Sequence, residues 1–205
     1  MDLLTLVIVA VTALYLLKLR EQRQHTQLLA QYLGKYQIEK LMAGLMEGYP
    51  RAVAEADAAR RMQIWSMLDD MELRLVEQFQ RFARDFAGAP APSTRVSTLP
   101  LALPYVDHVL PAASFDLRAA MQLHAKAIAA VQVQGAGDDE AERRRRAFTM
   151  TAELMLMQHT CHWFCRNRTI ASMRLIARHK TPYEQVLQSV APATGDAYRS
   201  LTHGK

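Results

Sequence analysis

Apolar and polar positions alternate along this chain with the period of helices nearly everywhere, and the first segment is apolar on all sides. Leu3 to Leu17 reads LLTLVIVAVTALYLL, without a charge. The run is a little shorter than the ~20 residues that cross a bilayer core. Met1, Leu19 and the long side chains of Lys18 and Arg20 extend it toward the headgroups. A buried core helix and a cleaved leader are the alternatives. A leader needs a basic start and a small-x-small cleavage site, but the chain begins Met1-Asp2 and the run ends Tyr15-Leu16-Leu17-Lys18. Residues 1–20 are therefore read as a transmembrane anchor.

Glu21 to Gly48 carries Leu28, Leu29, Tyr32, Leu33, Tyr36, Leu41, Met42, Leu45 and Met46 at threes and fours. The pattern predicts one helix that leaves the membrane and joins a bundle, or a self-paired stalk. Gly48-Tyr49-Pro50 is read as its stop. From Arg51 to Ala87, Ile64, Leu68, Met71, Leu75, Phe79, Phe82 and Phe86 form one stripe. Asp70, Glu72, Arg74, Glu77 and Arg81 lie on the other face, and Asp69-Asp70 is read as solvated.

Residues 88–113 carry five prolines and form a strap. Its apolar part predicts extended or polyproline chain, with Leu101, Leu103, Tyr105, Val109 and Leu110 covering core. Such a strap is long enough to set the next helix parallel to the last. That helix runs from an N-cap at Ser114 to Gln134, with His124 in the middle of the stripe Leu117, Met121, Ile128, Val131. Gly135-Ala136-Gly137 breaks it.

The helix from Asp139 onward is apolar around most of its circumference. Leu154, Met157, Cys161, Phe164 and Cys165 fill one side, and Phe148, Met155, His159 and His162 continue the cover. Glu142, Thr149, Glu153, Thr160 and Asn167 form a narrow polar strip. A helix wrapped on so many sides is the central member of a bundle. A bend falls near Arg166–Thr169, a helix ends at His179, and Thr181-Pro182-Tyr183-Glu184 starts a short last helix.

The predicted fold is all-α: an N-terminal transmembrane helix, then a bundle of about four long helices plus a short C-terminal one. Its divisions are an anchor at 1–20, a bundle at 21–192 with the strap at 88–113, and a polar, frayed tail at 193–205. At 205 residues and 50% hydrophobic, the chain can bury a full core. Basic Lys18, Arg20 and Arg23 follow the apolar run and Asp2 precedes it, so the positive-inside rule places the N-terminus outside. The remainder then lies in the cytoplasm, below an inner or plasma membrane crossed once. The two cysteines, read as reduced thiols, agree with that compartment.

The net charge of +5 suits an anionic membrane surface and is too mild to argue for nucleic acid. Arg143, Arg144, Arg145 and Arg146 form a basic collar, read first as pairing with acids on the Arg51–Ala87 helix and second as a contact for lipid or an acidic partner. His124, His159, His162, Cys161 and Cys165 offer imidazole and thiolate groups of the kind that hold zinc or haem between helices. The plainer reading of these residues is core packing, because one metal could not easily take groups that diverge around the helix. No nucleophile elbow or HExxH occurs, and an enzyme using His162 or Glu153 needs a pocket with convergent groups. The sequence thus predicts a non-enzymatic module, without cofactor, that binds a protein partner or its own copies. The alternative is a metal- or haem-binding bundle.

Overall fold

A computed structural model describes residues 2–99, 104–105, 110–133 and 139–203. Among them are eight α-helices and one short antiparallel ladder, so the chain is mostly helical rather than purely so.

Helix α1 (Leu3–Leu33) is unbroken over 31 residues, about 46 Å at 1.5 Å per residue. Leu3 to Leu17 is exposed throughout, and by length and composition the helix could cross a membrane. Its second half packs on the bundle through Leu28, Leu29, Tyr32 and Leu33. The chain then breaks at Gly34–Gln37, so Glu21–Gly48 is not one helix. Gly34 caps α1, and α2 (Ile38–Ala54) begins afresh.

Pro50 does not end α2 but lies inside it, on the exposed face. Gly48 has a packing role instead of a capping one. A Cβ there would come 2.3 Å from Leu68 Cδ2, and at Gly44 one would come 2.3 Å from Met71 Cε. The two glycines, one turn apart, let α2 lie close along α3 (Ala58–Phe86).

Asp57 starts α3 by accepting from the Arg60 N–H at 2.8 Å. Its apolar stripe is buried at Leu68, Leu75, Phe79, Phe82 and Phe86, each such side chain contributing about 1.5–3 kcal/mol. Tyr36 donates to Asp85 and the Gln37 N–H to Gln78, so α2 runs antiparallel to α3.

The strap departs from its predicted form. Arg95–Ser97 (β1) pairs antiparallel with Ser114–Asp116 (β2), Val96 opposite Phe115. Ser114 is therefore a strand residue and not an N-cap. The Asp116 carboxylate instead accepts from the Arg118 N–H at 2.9 Å and the Thr94 hydroxyl at 3.0 Å. The ladder folds the strap back on itself, so α4 (Leu117–Val133) returns antiparallel to α3. Gln122 reaches the Ala83 carbonyl and Arg118 the Ala89 carbonyl. Tyr105 is half-buried and Leu110 exposed, while Leu101, Leu103, Val109, Gln134 and Gly135–Gly137 lie outside the described residues.

Helix α5 (Glu140–Cys165), capped by Asp139, is the rod around which the others pack. It touches α1, α2, α4, α6 (Arg168–His179) and α7 (Tyr183–Ser189). Met150, Leu154 and Leu156 are wholly buried. Phe148 is not part of that cover; it is 71% exposed. The C-terminal segment is helical through His203, where a frayed tail was expected. Pro192 opens α8 (Pro192–His203), as proline suits a first turn. Tyr198 on α8 is fully buried against α5 and anchors it.

Candidate functional site

Two places gather the residues with chemistry, on opposite sides of α5. One is an enclosed polar knot. The strip that carries Glu153 and Thr160 is buried because α7 and α8 lie over it. The Thr160 hydroxyl lies 3.1 Å from His124 Nε2 and 2.8 Å from the Tyr198 hydroxyl. His159 meets the Ser172 hydroxyl at 3.0 Å through Nε2 and stacks near Tyr183, with ring centroids 4.5 Å apart. Further along the strip, Glu153 accepts from the Ala191 N–H at 3.0 Å, just before α8 begins.

Burial governs the charge states here. It pushes His124 down to about 3, with a further push from His159 nearby. It pushes His159 to about 3 as well, helped by Arg168 and His162. The same desolvation raises Glu153 to about 7, although hydrogen bonds from Thr194 and Ala191 oppose it. The Nδ1 atoms of His124 and His159 and one oxygen of Glu153 have no hydrogen-bond partner among the described residues. The two imidazoles stay neutral at ordinary pH, and together these groups brace α5 against α4, α6, α7 and α8.

The second place is an open groove of about 560 Å³ between α1, α2, α5 and α6. Cys161, His162 and Cys165 line its α5 wall. Arg174 on α6 donates to His162 Nδ1 at 3.2 Å. Burial lowers His162, and the cations of Arg174 and Arg178 lower it further. Burial raises both thiols, and for Cys161 the neighbouring Cys165 adds to the effect. Protonated thiols beside a neutral imidazole are poor nucleophiles.

The five histidines and cysteines singled out from the sequence are thus divided. His124 and His159 go to the knot; His162, Cys161 and Cys165 go to the groove. Among the described residues no three His, Cys, Asp or Glu side chains come together to hold a metal ion.

The arginine run is also divided. Arg146 turns inward to Glu72 and, at 3.0 Å, to Asp69, while Arg143 approaches Asp69 at 3.5 Å. Arg144 and Arg145 pair locally with Glu140 and Glu142 on the surface. Glu72 is therefore not on a solvent face: it is 1% exposed, with the Tyr49 hydroxyl donating to it at 2.6 Å. Asp69, placed with Asp70 on a solvated face from the sequence, is partly buried and ion-paired. Just after the apolar run, Lys18 pairs with Glu21 at 2.6 Å, and Arg20 and Arg23 are exposed.

Arg174 and Arg178, near the end of the helix that stops at His179, border this groove, which their spacing in the sequence did not suggest. Tyr198 was missed as well, although Thr194, Tyr198, Leu201 and Thr202 recur at helical spacing. No protein-family model, curated protein or solved structure matches the chain.

Proposed function

We propose that this protein is a single-pass, membrane-anchored helical module in the cytoplasm that acts by docking a partner, not by catalysis. The observation that carries the reading is the continuity of α1. One helix is exposed and apolar from Leu3 to Leu17 and packed into the bundle from Leu28 to Leu33. Such a helix holds a folded domain at a fixed distance from a bilayer, and the basic residues that follow Leu17 favour a cytoplasmic domain. The working surface is the groove, which α1 itself helps to build. Its thiols are held protonated by burial, which supports docking over nucleophilic chemistry.

The test has two parts. The full chain should stay in the membrane pellet after alkaline carbonate, and release into the supernatant removes the anchor. A photo-crosslinking residue at Met42, in the groove, should give a discrete adduct in cells, and one at Gln188, on the exposed face of α7, should not. Equal labelling at both positions, or none, defeats the docking surface.

A further inference from the structure

We infer that the groove between α1, α2, α5 and α6 binds a long-chain fatty acid, with the carboxylate held by Arg174 and Arg178. The inference rests on the groove being the working surface proposed above. Its floor is apolar, built by Leu29, Leu33, Ile38, Met42, Phe82 and Met157. Its rim is cationic. Arg174 and Arg178 stand one turn apart on α6 and both border the groove. Neither makes an ion pair among the described residues, whereas Arg143, Arg144, Arg145 and Arg146 all do. Two unpaired guanidiniums beside an apolar trough complement an anionic head on a hydrocarbon tail. A carboxylate can take paired N–H donors from a guanidinium, and the five donors of Arg174 leave enough after its bond to His162.

The groove, about 560 Å³ and open along one side, has room for a hydrocarbon chain. Position also fits a ligand drawn from a bilayer. The end of the groove at Thr26 and Arg166 lies nine residues along α1 from Leu17, about 13 Å. Glu39 borders the groove on the α2 side and opposes an anion there, so the head belongs at the α6 wall.

Cys161 and Cys165 are the chain's only cysteines and both line the groove, so occupancy can be read from them. The full chain, in phosphatidylcholine nanodiscs, is treated with N-ethylmaleimide with and without oleate. Oleate should slow alkylation tenfold or more, and methyl oleate, which lacks the charge, should not. In R174Q/R178Q the alkylation rates with and without oleate should agree with each other, whatever the unliganded rate of that variant. An unchanged rate with oleate overturns the proposal, as does equal protection by methyl oleate or full protection in the double variant. If the double variant loses its helical circular dichroism, the comparison of the two ligands on wild-type protein still decides. A discrete Met42 crosslink to a protein, with no effect of oleate, rejects the fatty acid and leaves docking in place.

Discussion

Arg146 on α5 donates to Glu72 on α3 with both side chains inside the bundle. Glu72 also accepts from Tyr49 on α2, so one carboxylate ties three helices. Taking two charges out of water costs several kcal/mol, and their attraction offsets that only while both are present. Glu72→Ala should therefore destabilise the protein by about 3–5 kcal/mol. Joint replacement by Glu72→Leu, Arg146→Met and Tyr49→Phe should come within ~1 kcal/mol of wild type, since an apolar contact replaces the pair and Asp69, which loses Arg146, is partly exposed and still faces Arg143. Denaturant midpoints of the two proteins check this, and equal losses would contradict it.

The polar knot makes stability depend on pH in two opposed ways. Folded Glu153 keeps its proton up to about 7, while the unfolded chain releases it near 4.5. Stability from this group is complete below pH 4.5 and is lost as pH rises toward 7, up to about 3 kcal/mol. Glu153→Gln should remove that slope and raise stability at pH 8 by about 1–3 kcal/mol.

His124 and His159 act in the other sense. Both stay neutral when folded down to about 3, but the unfolded chain takes up protons below about 6.5. Their contribution is complete above pH 6.5 and lost as pH falls. Between pH 4.5 and 6.5 two protons oppose one, so wild-type stability should peak near pH 6.5 and fall on the acid side. Thermal melts from pH 5 to 8 test the peak, and a flat profile would refute it.

Gly44 and Gly48 should respond differently to alanine. At Gly44 the added Cβ meets the end of Met71, a flexible and partly exposed side chain that can swing away. The helix gains up to about 1 kcal/mol from alanine, so Gly44→Ala should be neutral or slightly stabilising. At Gly48 the Cβ meets Leu68, which is 3% exposed and cannot move freely. Gly48→Ala should cost about 1–2 kcal/mol net of the helix gain. The order of the two melting temperatures is the check.

Tyr198 sets the worth of the C-terminal helix. Its ring is fully buried beside His124, and its hydroxyl reaches Thr160. Tyr198→Ala should destabilise by about 3–5 kcal/mol, and Tyr198→Phe by about 1 kcal/mol for the hydroxyl bond alone. Truncation after Val190 should be at least as damaging as the alanine substitution. If truncation leaves the melt unchanged, α8 is not part of the core.

Much of this architecture is legible from side-chain spacing. The apolar opening run, the stripe from Leu68 to Phe86 and the wrapped helix around Leu154 all recur in the structure, because burial imposes the 3.6-residue period directly on the sequence. The cap at Asp139 was legible because it depends only on residues within one turn, but Asp57, inside the helix expected from Arg51 to Ala87, instead opens α3. Punctuation was less legible. Glycine and proline serve turns, caps and close packing alike, so Gly48, Pro50 and Pro192 each took a role opposite to the one their type suggested.

Local pattern by itself determined that the chain is mostly helical, that its first helix is apolar enough for a bilayer, and that α5 sits at the centre. Only the tertiary structure decided which helix covers which face of α5. That choice buried Glu72 and Glu153, separated His124 from His162, and set Arg174 and Arg178 opposite α1 and α2 across an open groove. The physical reason is range. A helix's period is written in neighbours three and four residues apart, but a groove or a buried ion pair joins residues that are dozens of positions apart, and no local spacing encodes their meeting.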